Sequence, residues 1–135
     1  SGSLLQRIDF DGTGLESLGP AGGSVPTDIA LDVAGDKMYW SVDGAAGVKR
    51  SALDGTGAAT LVSQSFLNTL VGVDPLVRAD AVSGIALDIE GGRLYWANGR
   101  HLNSMPLSGV AAAGDAVELG WPRRTAERSS RAELR

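Results

Sequence analysis

The chain has no cysteine and one histidine in 135 residues. Without thiols there is no disulfide, no thiolate nucleophile and no Cys-ligated metal, although this alone does not fix a compartment. His101 has no second imidazole with which to form a metal pair. No Ser–His–Asp arrangement can be read around it either, so it is read as a surface or hydrogen-bonded strand residue. Aromatics are only 5% of the chain. No apolar run approaches the ~20 residues that span a bilayer, and Ser1-Gly2-Ser3 carries no export-leader pattern. It reads as a cloning scar or as a start inside a longer gene product. Basic charge is also scarce. The last fifteen residues hold five Arg against two Glu, so the body before them, at −7, is more acidic than the total of −4. Nucleic acid is therefore not an expected partner, because phosphate binding needs clustered Lys and Arg.

What the chain does have is glycine, 19 residues of it, between short apolar runs. That composition favours many turns and short strands over long helices. The turn Asp-Gly-Thr-Gly occurs twice, at 11–14 and 54–57, 43 residues apart. A second repeat is wider: "DIALDVAGDKMYWSVDG" (28–44) aligns with "GIALDIEGGRLYWANGR" (84–100) at an offset of 56. A period of 43 fits a propeller blade of four strands, roughly 40–45 residues. Each unit reads as strands A to D: 27–33, 37–42, 47–53 and 58–63, then 83–89, 93–98, 101–107 and 116–120. Residues 1–18 supply one further C–D pair. Met38, Tyr39 and Trp40 on strand B are suited to packing between blades. Asp32 and Asp88, at matching strand ends, read as turn-capping acceptors rather than a catalytic carboxylate pair.

The frame "IALD…YWSVDG…VKRSALDGTG…LV" resembles the YWTD repeat of low-density lipoprotein receptor-type β-propellers (class B repeats), over about residues 4–120. The motif residues are Asp32, Tyr39, Trp40, Asp54, Gly55, Asp88, Tyr95 and Trp96. The resemblance implies an all-β, partial YWTD-type propeller and a non-catalytic, protein-binding scaffold outside the cell or in an envelope space. Where the family has Thr-Asp after Tyr-Trp, this chain has Ser41-Val42-Asp43, read as a one-residue insertion, and Ala97-Asn98.

Counting strands gives ten, about two and a half blades, where six four-stranded blades need about 24. The expected organisation is a partial propeller at 1–120, with blade repeats at about 1–18, 27–63 and 83–120, and an Arg-rich tail at 121–135. An open sheet exposes an apolar face and unpaired edges, so completion by oligomerisation is expected, with a homo-oligomer or another protein as partner and truncation of a longer propeller as the alternative. Chain direction puts the B–C loops and D-to-A connections on one face. There the connection between the two full units, at 63–83, is ~13 residues longer than the one that precedes the first unit, counted between equivalent strand positions. Phe66, Leu67, Asp74, Arg78 and Asp80 from that connection, with Asp43, Asn98, Arg100 and His101 nearby, are the candidate ligand- or partner-binding residues. The competing reading is that the connection packs over a neighbouring blade or an oligomer contact.

No cofactor or metal is expected. "AGGS" (21–24) precedes no P-loop lysine, and "DGTG" is explained by hairpin chemistry better than by an aspartic protease motif. The alternative function is a six-bladed-propeller enzyme of lactonase or lyase type. That would need a divalent ion held in the central channel by inward Glu, Asn, Asp and His side chains.

Overall fold

The computed structural model describes residues 3–21, 25–43, 47–63, 65–67, 81–108 and 117–119. Ten strands form three antiparallel sheets. Strands β1 (Leu4–Arg7) and β2 (Glu16–Pro20) make a two-stranded sheet. Strands β3 (Pro26–Asp32), β4 (Lys37–Val42), β5 (Val48–Ala52) and β6 (Ala59–Val62) pair in chain order as the first full blade. Strands β7 (Val82–Asp88), β8 (Arg93–Asn98), β9 (His101–Pro106) and β10 (Val117–Glu118) pair likewise as the second. The expected ten strands are all present. Three of the expected candidate residues, Asp74, Arg78 and Asp80, lie outside the described residues, as does the tail at 121–135.

The hairpin turns account for the repeated signature. Asp54 Oδ1 accepts Thr56 N at 2.9 Å and Thr56 Oγ1 at 2.6 Å, an Asx-type closure that Asp11 repeats on Thr13 at 2.9 and 2.7 Å. Gly12 and Gly55 follow at φ 85° and 87°, in a left-handed region that L side chains rarely adopt. In the A–B turns Asp32 accepts Gly35 N at 2.9 Å, and Asp88 accepts Gly91 N at 2.8 Å. A Cβ on Gly35 or Gly91 would collide with that carboxylate, so these turns need glycine for a close approach.

Register makes the repeat literal. Leu5↔Gly19, Gln6↔Ser17 and Arg7↔Glu16 are matched 43 residues on by Val48↔Val62, Lys49↔Thr60 and Arg50↔Ala59, including a bulge at the same step. Strands β1 and β2 therefore occupy the C and D places of a blade. The one-residue insertion expected after Trp40 is not in the strand. Val42 pairs with Pro26 as Asn98 pairs with Val82, so Val42 and Asn98 are equivalent. The length difference lies between the B and C strands, where Val42 bonds to Gly47 in one blade and Asn98 pairs with His101 in the other.

Alternate side chains of each B strand serve two interfaces. Met38, Trp40 and Val42 pack with Leu5 of the two-stranded sheet and with Ala21, just after it. Leu94 and Trp96 pack with Val48 and Val62 of the preceding blade, along with Val82, Met105 and Leu67. Tyr39, on the opposite side of β4, is covered by the second blade and is only 2% exposed. Tyr95, its equivalent, is half-buried.

Candidate interaction surfaces

The contact between the two full blades shows what seats one sheet on the next. Asp28 Oδ1 accepts its neighbour Ile29 N, and Oδ2 accepts Ile85 N in the next blade, both at 2.9 Å. Thr27 Oγ1 lies 2.7 Å from Ser41 Oγ and donates to Val82 O at 3.0 Å. Arg50 donates to Leu107 O at 2.9 Å, and Arg7, its equivalent 43 residues earlier, reaches Leu53 O at 3.5 Å. On the second full blade the corresponding four residues are Ser83, Gly84, Ala97 and Ser104. Their exposed sheet face lacks the carboxylate and the guanidinium. It carries an open groove of about 250 Å³, lined by Ala86, Tyr95, Ala97 and Leu102 among others, with Asp28 of the preceding blade also lining it. Ser104 accepts two hydrogen bonds from Arg93 of its own blade, at 3.2 and 2.8 Å.

The opposite side of the chain is uncovered in a different way. Ile85 and Leu87 on β7 pack against the core between the blades. Their equivalents on β3, Ile29 and Leu31, are 51% and 55% exposed. Ile8 and Phe10 are also exposed, although Ser51 and Leu53, 43 residues on, are buried and part-buried. Strand β1 pairs only with β2, so its other side has no strand partner among the described residues.

The residues expected on the loop face divide into two groups. Leu67 is fully buried in the inter-blade core, and half-buried Phe66 packs against it. A helical turn at 65–67 puts them there. It is started by Ser63, whose Oγ accepts Phe66 N at 3.1 Å and whose carbonyl accepts Leu67 N at 3.0 Å. Leu67 is thus a packing residue and not a surface contact, because the start of the long connection folds back over the joint between blades. Asn98 is also buried, with Oδ1 accepting Asn103 Nδ2 at 2.8 Å. It is corrected from a ligand-facing position to an interior one. Asp43 and Arg100 are exposed in the two B–C turns, and His101 is part-buried at the start of β9.

Residues that sequence reasoning passed over include Asp28, Arg50 and Asn103. Only Arg50 had a legible signal, its recurrence as Arg7 beside the same turn. Asn98 Nδ2, Asn103 Oδ1 and Trp96 Nε1 are buried without a hydrogen-bond partner among the described residues, on the face of β8 and β9 that meets the preceding blade. By contrast Trp40, the equivalent of Trp96, donates to Ala21 O at 3.0 Å. Asp11 and Asp54 are held below the ordinary carboxyl value of 3.8, first by the hydroxyl and then by the backbone N–H of Thr13 and Thr56. Among the described residues no cluster of three His, Cys, Asp or Glu could hold a metal ion, and no helix is long and apolar enough to cross a membrane.

No family model matches the chain. No curated protein matches it either. Among solved structures, a chain in the crystal structure of a nidogen/laminin complex is similar, with a TM-score of 0.63 and 19% sequence identity, covering 86% of this chain and 40% of that one. The fold is an open β-propeller segment. This chain spans less than half the length of the structure it matches, and at that identity the likeness concerns the fold alone.

Proposed function

We propose that the protein is a non-catalytic binding module of the YWTD propeller type, whose exposed sheet faces are completed by protein partners, other copies of the chain among them. One observation carries this reading: side chains buried between blades inside the molecule are uncovered at its two ends, with Ile29, Leu31, Ile8 and Phe10 exposed at one and Leu102 exposed beside half-buried Tyr95 at the other. Contiguous apolar surface of that kind marks association sites. The similar solved chain comes from a complex of two proteins, which accords with a binding role. An extracellular or cell-envelope location belongs to the same proposal, through the resemblance to the repeat family. The alternative, a propeller enzyme with a channel ion, has no supporting cluster among the described residues.

Light scattering coupled to size-exclusion chromatography tests the self-association. The expected result is a species larger than one chain at micromolar concentration, shifted toward the monomer by Leu102→Glu. A monomer at every concentration, with no partner retained by the immobilised protein, would sink the proposal. Deleting residues 68–80 tests the loop separately: folding should persist and partner capture should weaken if Asp74, Arg78 and Asp80 contribute to recognition.

A further inference from the structure

The chain holds three asparagines, at 68, 98 and 103, and a glycine follows only Asn98. Asn98 is the last residue of β8 and pairs with His101, so Gly99 and Arg100 form a two-residue turn. Gly99 is exposed at φ 57° and lies outside the ladder that holds its neighbours. Having no Cβ, it leaves its nitrogen unshielded. Asn98 itself is fully buried, and the two ends of its amide are held unequally. Oδ1 accepts Asn103 Nδ2 at 2.8 Å, while Nδ2 has no hydrogen-bond partner among the described residues. A donor thus polarises the carbonyl, and no acceptor there holds the amino group. Asn103 is placed the other way. It stands within β9 opposite Trp96, Ser104 follows it in the same ladder, and its Nδ2 is the end that is held.

We propose that Asn98 is a self-modifying residue, whose side-chain amide is lost as ammonia through attack by the nitrogen of Gly99. That nitrogen bonds to Asn98 Cγ and gives its proton to solvent. Negative charge develops on Oδ1, where Asn103 Nδ2 already donates in the manner of an oxyanion donor. The Cγ–Nδ2 bond then breaks, and Nδ2 takes a proton from solvent and departs as ammonia, closing a succinimide ring. Burial does not prevent the closure, because the nucleophile is carried by the next residue and needs no diffusion. Water opens the ring at either carbonyl. Cleavage between Cγ and the Gly99 nitrogen leaves aspartate, and cleavage of the original peptide bond leaves isoaspartate. No electrons are transferred, and water is the one co-reactant. Aspartate puts a carboxylate where the unheld amino group stood, on the face that meets the preceding blade. A buried charge with Asn103 Nδ2 as its donor is incompletely paired, which weakens the joint. Isoaspartate routes the main chain through Cβ and Cγ, lengthening the hairpin by one carbon and upsetting the pairing of Asn98 with His101. The second full blade therefore loosens with the age of the protein.

The proposal is independent of the binding-module reading. Its test incubates the full 135-residue protein in mildly alkaline buffer without denaturant. Ammonia loss is mapped by peptide mass spectrometry, and isoaspartate is scored with isoaspartyl methyltransferase. Conversion is expected at position 98 well ahead of 68 and 103, at a rate within about tenfold of that in a synthetic peptide of residues 93–106. Retention of the amide at 98 in the folded protein, while the peptide loses it, would overturn the proposal. Asn98→Gln, which moves the amide one methylene away, should abolish the reaction. Asn103→Leu, of similar bulk but without the donor, should slow it about tenfold in the protein, equivalent to about 1.4 kcal/mol. The same change in the peptide should have no effect. An equal slowing in the peptide would reject the polarising contact. Should Asn103→Leu fail to fold, the comparison of unaltered protein with peptide still decides. Aged protein, separated by ion exchange, should show a lower urea midpoint than fresh protein, and faster hydrogen exchange in β8 and β9 with β4 and β5 less affected. Asn98→Asp, made directly, should reproduce the lowered midpoint. An unchanged midpoint in the aged protein would reject the loosening.

Discussion

Trp40 and Trp96 occupy the same place in two successive blades and differ in one bond. Both are buried and both pair across the sheet with an isoleucine, Ile29 or Ile85. The Trp40 indole donates to Ala21 O, and the Trp96 indole meets no acceptor among the described residues. Truncation to phenylalanine removes a similar apolar area at each site, but at Trp40 it also strands a buried carbonyl. A net hydrogen bond contributes about 1 kcal/mol, and an orphaned partner costs more. Trp40→Phe should therefore destabilise by about 1 kcal/mol more than Trp96→Phe, measured by urea denaturation. Equal losses would mean that the bond contributes nothing net. The two tryptophans and their role between blades were legible from the Tyr-Trp repeat. Their difference was not, since the acceptor lies 19 residues away in a connection with no pattern of its own.

At the scale of the element, the hairpins were legible almost to the residue. Glycine at positive φ and a side chain that closes its own turn are local features, and local chemistry leaves a trace in sequence. The same chemistry makes these turns sensitive to acid. The Asp11 and Asp54 carboxyls titrate below 3.8 in the folded protein because Thr13 and Thr56 bond to the ionised form. Their contribution is thus complete above the unfolded value and lost as pH falls through the lowered folded values. Replacing Thr56 by valine should raise the Asp54 pKa toward 3.8 without moving Asp11, as followed by NMR titration of the two carboxyls. A shift at Asp11, or none at Asp54, would contradict the assignment. What the hairpin signals could not show was alignment between hairpins. Asp43 looked like a displaced counterpart of Asn98, but strand pairing makes Val42 the counterpart and moves the difference into the turn. Likewise Leu67 read as an exposed loop residue, because nothing local reveals that the connection turns back onto Val62 and Val82.

The whole molecule is a short stack in which each sheet touches only its neighbours. Stability in such arrays is approximately a sum of unit and nearest-neighbour terms. The sheet β3–β6 has neighbours on both sides, the sheet β7–β10 has one among the described residues, and the two-stranded sheet has one over half the usual width. Hydrogen exchange should follow that order, slowest in β4 and β5 and fastest in β1 and β2. Uniform protection across the three sheets would show a single cooperative unit instead. Sequence revealed the number of strands and hence the open ends, because counting needs no geometry. It did not reveal the links between sheets, which join residues as far apart as Asp28 and Ile85.

Those links also give the stack a direction. Repeats multiply when a stretch of gene is copied, and a copy joins the array most readily where the sheet before it offers the groups that hold a successor. Asp28 and Arg50 offer them, whereas their counterparts Gly84 and Ser104 do not. A duplicated unit inserted between the two full blades would thus inherit a ready-made seat. The same unit placed after residue 119 would need the carboxylate and the guanidinium restored, or a different set of bonds, to be held in the same way.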